Sequence, residues 1–296
     1  PGAFSINDLY PTSASGDLDV TVRESNGEER HFTQAFSAIP IMQREGRLKY
    51  ALTLGKYRTY QSGGDEPEFL QGSLIYGLGY GVTLFGGSQL AQNYKAANAG
   101  IGSMVGDWGS LSFDTTLANS ELTDNHTERG QAYRLQYAKS VTATGSTLSL
   151  AGIRFAGDFY HFSDASNWRE DESNGNYYGQ PREQYRLNLT QMINNGQWGS
   201  LSLSWYQQNY RQSQINQRSL GISYNVNIAS IDYALSVSDN RTYGTESDKQ
   251  IAFNVSIPLG RWLSNAWATA NVNSASHGRT LYQTGINGML LEDNNL

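Results

Sequence analysis

Apolar and polar side chains alternate along most of this chain. Leu220, Ile222, Tyr224, Val226 and Ile228 fall on one face, with Gly221, Ser223, Asn225 and Asn227 on the other. The next run repeats the pattern, with Ile231, Tyr233, Leu235 and Val237 against Asp232, Ala234, Ser236 and Ser238. So does Ile251, Phe253, Val255, Ile257 and Leu259 against Ala252, Asn254 and Ser256. A period of two marks a β-strand with two unlike faces. Earlier runs agree: Leu48 to Leu54, Leu111 to Leu117, Tyr133 to Tyr137, Tyr185 to Leu189 and Leu201 to Trp205. Between Arg47 and Leu290 the pattern predicts about 14 strands, a spacing that suits strands of about ten residues with mixed short and long loops. Leu148 and Leu150 point one way and Ile153 and Phe155 the other, which predicts a bulge near Leu150. Asn194-Asn195-Gly196 and Thr144-Gly145 predict tight turns, and 121–130 and 160–183 predict long polar loops.

Residues 1–46 read differently. Asp17 to Arg23 and Arg30 to Phe36 flank Ser25-Asn26-Gly27-Glu28-Glu29, which predicts a hairpin turning at Asn26-Gly27. We assign 1–40 to a small separate β module, 41–46 to a linker and 47–296 to the strand array.

Composition narrows the class. Charged residues make up 16% of the 296, the net charge is −6, and there is no Cys. Disulfides and thiolate metal sites are excluded. A pI near 5.2 without a basic cluster argues against nucleic acid as a partner. The longest charge-free stretch, Phe69 to Tyr94, holds six Gly, too many for a membrane helix. The chain opens Pro1-Gly2-Ala3-Phe4, so the expectation is a processed chain or a piece of a longer one.

Alternation alone fits a soluble antiparallel protein with one wet face as well as a membrane barrel. Three features favour the barrel. The polar face carries mostly Ser, Thr, Asn and Gln rather than the Lys and Glu of soluble sheets. The apolar face is almost free of charge, as lipid demands. Aromatic residues recur near strand ends, at Tyr57, Tyr60, Tyr94, Trp108, Trp198, Tyr210, Trp262 and Trp267, where interfacial girdles sit. A lipid-facing sheet tolerates no open edge, so these strands close on themselves or with further strands. The predicted fold is all-β: a transmembrane antiparallel β-barrel of about 14 strands over this chain, with part of a small β module at its N-terminus.

Particular segments then become familiar. Pro1 to Leu9 resembles the plug segment of outer membrane ushers of the chaperone–usher fimbrial pathway. Gly16 to Val22 followed by Asn26-Gly27 is similar to the plug hairpin. Pro40 to Gly46, then Tyr50 and Gly55-Lys56-Tyr57-Arg58, resembles the return from plug to barrel. Tyr80 to Gln89, Ile257 to Leu263 and Leu290 to Leu296 are also usher-like. The resemblance covers essentially the whole chain. It implies a barrel of about two dozen strands, a plug that blocks the pore at rest, and residence in the outer membrane. It implies chaperone–subunit complexes and fimbrial subunits as partners, and leaves a homodimer open. In position, 160–183 matches a family loop whose short helix helps hold the plug. Ser163 is placed to cap such a helix through Arg169; a mobile extracellular or lumen loop is the other reading.

No active site is expected. The four His are scattered, and no zinc-protease, P-loop, nucleophile-elbow or EF-hand motif occurs. No cofactor or metal is expected either. Gly100-Ile101-Gly102 reads as strand glycine. Asp114, Arg134, Arg154, Arg186 and Asp232, read as polar-face positions, are the candidates for a mixed-charge lumen wall that touches the plug. An inter-strand charge ladder without a gating role is the other reading.

Overall fold

The computed structural model describes residues 15–23, 29–37, 41–58, 66–123, 126–167, 180–211, 216–241, 247–260, 266–276 and 278–288. Strands β1 (Ser15–Arg23) and β2 (Glu29–Ser37) pair antiparallel as a two-stranded sheet; the predicted turn at Asn26-Gly27 lies outside the described residues. The second sheet has 14 strands: β3 (Leu48–Lys56), β4 (Glu68–Gly77), β5 (Val82–Ala91), β6 (Tyr94–Met104), β7 (Ser110–Thr123), β8 (His126–Val141), β9 (Ser146–Gly157), β10 (Pro181–Met192), β11 (Ser200–Tyr210), β12 (Asn216–Ile228), β13 (Ile231–Arg241), β14 (Asp248–Pro258), β15 (Ala266–Ala275) and β16 (Leu281–Gly288). Every strand pairs antiparallel with its sequence neighbours, from β3 at one edge to β16 at the other. This is an up-and-down meander, the topology of an incomplete transmembrane barrel.

Two local expectations change. Strand β9 keeps one unbroken register with both β8 and β10, so there is no bulge at Leu150. Its phase change is a change of composition: Gly152 and Arg154 continue the outward row begun by Leu148 and Leu150, while Ile153 and Phe155 line the inside. The loop expected at 121–130 is mostly strand, because β7 runs to Thr123 and β8 starts at His126.

Burial is inverted relative to a soluble protein. Large apolar side chains on central strands stay exposed, with Phe113 at 46%, Leu135 at 52% and Ile222 at 45%. Small polar side chains on the other face are buried: Thr83, Ser110, Ser112, Asp114 and Ser120. No second layer covers the apolar face among the described residues. The apolar stripe therefore faces outward, where only lipid would shield it, and the hydroxyl-rich stripe faces inward.

The two ends of the sheet differ. Connections 78–81, 105–109, 142–145, 193–199, 229–230 and 259–265 lie at one end; 57–67, 92–93, 124–125, 158–180, 211–215, 242–247 and 276–280 lie at the other, which holds the two longest. In bacterial barrels short turns face the periplasm and long loops the exterior. The short-turn end carries a repeated unit, Gly106-Asp107-Trp108-Gly109-Ser110-Leu111-Ser112 and Gly196-Gln197-Trp198-Gly199-Ser200-Leu201-Ser202. In each copy the second glycine has positive φ, at Gly109 (97°) and Gly199 (82°), and the Trp is exposed. In each, the outward Tyr opposite the Leu donates its hydroxyl to the Trp carbonyl: Tyr137 to Trp108 at 2.7 Å, and Tyr224 to Trp198 at 2.5 Å. Lys139 places its Nζ 5.7 Å from the Trp108 ring centre. This is an interfacial girdle. It does not include every aromatic expected there. Tyr94, Tyr210 and Trp267 fall on the inward register, Tyr57 packs inside, and Tyr60 and Trp262 lie outside the described residues.

A charge on the outward stripe at mid-strand should cost about 2–4 kcal/mol. Ile222→Arg is therefore expected to lower the denaturant midpoint in lipid bilayers. Ser223→Arg, the next residue but inward, should leave it nearly unchanged.

Candidate functional site

The inward face of β4–β9 is not empty. It holds two inner segments, one from the loop end and one from the turn end.

The first follows β9. Phe159, Tyr160 and Ala165 are buried against Tyr94, Ala118, Leu122, Ala132 and Phe155 of the wall. Helix α1 (Phe162–Ser166) is a single turn, too short to be stable alone. It is held by Phe162, whose ring centre lies 5.3 Å from Tyr57, 5.5 Å from Phe69 and 5.4 Å from Tyr94. Such aromatic pairs contribute about 0.5–1.5 kcal/mol each beyond the area they bury. Tyr94 donates its hydroxyl to the Tyr160 carbonyl at 3.2 Å, and Asn167 donates its amide to the Tyr57 hydroxyl at 3.0 Å. At the segment's entry, Arg211 donates through Nη2 to the Phe155 carbonyl at 2.7 Å, with Nη1 4.0 Å from Asp158. Gly130 permits the close approach, since a Cβ there would lie 2.2 Å from the Phe159 Cα. We call this segment the latch. Its helix differs in detail from the sequence expectation. His161 occupies the N-cap without a side-chain cap bond, and Ser163 sits inside the first turn, donating to Asp164. Arg169 lies outside the described residues.

The second segment is the linker 41–46. Thr83, fully buried, accepts from the Gln43 N–H at 2.9 Å and donates to the Gln43 carbonyl at 3.3 Å. Gly46 N–H donates to the Gly77 carbonyl and Gly77 N–H to the Arg47 carbonyl, both at 2.9 Å. A Cβ on Gly77 would lie 1.9 Å from the Arg44 carbonyl oxygen, so only glycine lets the linker lie there. Met42 is buried beside Ala138. The linker is thus tied to the wall at the turn end, and β2, just before it, comes within 8 Å of β8 in Cα positions.

Between the two runs a cavity of about 380 Å³, bordered by Ile41, Phe85, Asp114, Arg134, His161 and Phe162. Asp114 and Arg134 are cross-strand partners, and Arg134 Nε donates to Asp114 Oδ2 at 2.7 Å. The carboxylate is almost buried, while the guanidinium is 38% exposed toward the cavity. Removing one partner of such a pair strands the other's charge. Gly100 makes room beneath, because a Cβ there would lie within 2.5 Å of both the Phe85 ring and the Asp114 Cβ. The strand-glycine reading holds, with a packing reason.

The other candidates separate. Arg186 is inward on β10, its guanidinium 5.5 Å from the Tyr206 ring centre. Asp232 is inward on β13 and accepts from the Asn227 amide at 2.7 Å. Neither touches the Asp114–Arg134 pair. Arg154 is not a lumen residue. It stands opposite Tyr133 and Glu183, on the outward register, because β9 has no bulge to turn it inward. Tyr57, Phe69, Phe159, Phe162, Arg211 and Thr83 were not singled out as site residues by pattern. The signal available was parity: Phe69 and Phe85 break the rule that this face is polar, which marks them as contacts for something inside, while Thr83 obeys it and gave no such signal. Among the described residues no cluster of His, Asp and Glu could hold a metal ion.

The comparisons agree with this architecture. The family model described as outer membrane usher protein matches residues 1–296. The outer membrane usher protein LpfC of Salmonella typhimurium is 40% identical over 298 residues, covering 100% of this chain and 35% of its own length. FimD of the same organism is 38% identical, covering 100% of the chain and 37% of its own length. The chain therefore spans little more than a third of these relatives. Among solved structures, the E. coli P pilus tip assembly intermediate PapC-PapD-PapK-PapG aligns at TM-score 0.66 and 24% identity, over 99% of this chain and 35% of that one. The PapC translocation pore aligns at 0.56 and 24%, over 98% and 58%. At that identity the structures speak for the fold.

Gly130→Ala should push the latch off the wall. Limited proteolysis within 158–167 is expected to be faster than in the parent, with the barrel still folded by heat-modifiable gel migration.

Proposed function

The chain belongs to the outer membrane usher family, and from that premise we propose that it is the middle of a gated secretion pore through which fimbrial subunits reach the cell surface. The PapC structure imaged by cryo-EM with PapD, PapK and PapG supports periplasmic chaperone–subunit complexes as its partners. Residues 1–40 belong to the plug, 41–46 form its tether and 47–296 are pore wall. The observation that carries this reading is the occupied interior: a wall apolar outside and hydroxylic inside, with a latch and a tether bonded to its inner face.

The parts have distinct roles. A plug tied through Thr83 and Gly77 stays attached when it swings aside, a two-state rearrangement. The latch narrows the lumen from the loop end. Asp114, Arg134, Arg186 and Asp232 give a hydrated wall of mixed sign, along which a folded subunit slides without a strong attraction of either sign. No nucleotide is consumed. Direction comes from donor-strand exchange between successive subunits, a β-augmentation.

Planar-bilayer recording of the full-length protein tests this. Phe162→Ala is expected to raise basal conductance by freeing the latch, and Thr83→Val to do so by loosening the tether. Arg134→Glu, which sets two carboxylates face to face, should raise it as well. Unchanged resting conductance in all three would overturn the gating roles. A protein that never copurifies with a chaperone–subunit complex would instead be a passive diffusion channel.

A further inference from the structure

The outward face carries a groove of about 590 Å³ at the loop end, and it belongs to neither latch nor tether. Its upper row crosses four strands: Leu90 on β5, Lys95 on β6, Asn119 on β7 and Arg129 on β8, each opposite the next. The row below it, toward the turn end, is apolar at Leu117 and polar at Gln131, which accepts from the Tyr133 hydroxyl. Lys95 and Arg129 are both exposed, and neither has an ion-pair partner among the described residues. Arg154 adds a third cation beside Tyr133 on the same face, opposite Glu183. Glu121, two residues beyond Asn119, is the other carboxylate on this part of the outward register.

Two cations spaced across a groove beside Leu90 and Leu117 suit an anionic head over an acyl chain. Guanidinium and ammonium groups together hold phosphate oxygens well. The whole chain is acidic, so net charge does not explain cations gathered on this rim.

We propose that this groove is a binding site for a phosphorylated saccharolipid of the outer leaflet, with phosphate between Lys95 and Arg129 and an acyl chain along Leu90 and Leu117. The inference rests on the outer membrane reading above and goes beyond it, since it assigns a lipid class to one side of the wall.

Native mass spectrometry of the detergent-released full-length protein tests it, with bis-phosphorylated lipid A, enzymatically dephosphorylated lipid A and phosphatidylglycerol as probes. The parent is expected to retain bis-phosphorylated lipid A and to lose most of that adduct with the dephosphorylated form. Lys95→Gln with Arg129→Gln should abolish the adduct, while Lys95→Arg with Arg129→Lys, and Lys139→Gln at the opposite rim, should keep it. Heat-modifiable migration checks that each variant is folded. Equal retention by the Gln pair, or of the dephosphorylated probe, would overturn the site. Equal retention of phosphatidylglycerol would overturn the saccharolipid assignment. A parent that is found outside the membrane fraction would defeat the membrane reading itself, separately from the groove.

Discussion

Backbone hydrogen bonding between sequence neighbours governs this molecule. Each of the strands β4 to β15 satisfies its N–H and C=O groups through the strands on both sides, while β3 and β16, the edges of the described sheet, pair on one side. In lipid an unmet backbone group costs several kcal/mol, so the ladder is the precondition for everything else. Once the ladder carries the fold, a central hydrophobic core is no longer required. The apolar side chains can turn outward, and the inside is free to be polar and partly filled by movable segments.

What fills the inside is held by local fit. Gly77, Gly100 and Gly130 leave the inner wall bare where linker, ring or latch backbone lies against it. The latch combines an aromatic cage around Phe162 with hydrogen bonds at both of its ends. Under it, the buried hydroxyls of Ser120 and Ser166 have no hydrogen-bond partner among the described residues. Unmet buried hydroxyls cost about 1–3 kcal/mol each, so the seal is firm on its aromatic side and weak on its polar side. A segment built this way is held and can also be released. Arg211 ties its entry to the strand end that leads into loop 211–215, which gives the latch a mechanical link to the outer rim.

Leaflet orientation emerges from the same outward face. At the turn end, Tyr137 and Tyr224 hold two equivalent Trp-bearing turns by their carbonyls. At the loop end the face ends in Lys95, Arg129 and Arg154. An apolar stripe between an aromatic rim and a cationic rim has a fixed depth and a fixed direction in a membrane, and the latch and tether inherit that direction from the ends at which they enter.

Strand number and the two faces were legible in the sequence because period-two alternation is local: each residue reports its own side. The tight turns at Asn194-Asn195-Gly196 and Thr144-Gly145 were legible for the same reason, through positive φ at short range. Arg154 was misplaced because its side depends on whether β9 slips, and only pairing with two neighbours decides a register. The girdle reading of Tyr94 failed likewise, since an aromatic at a strand end can point either way. The sequence by itself determined the strands, their alternation and, through resemblance, the family. Only the tertiary structure decided what occupies the lumen, because those contacts join residues far apart, such as Tyr57 and Asn167 across 110 positions, and no local pattern encodes a meeting of that range.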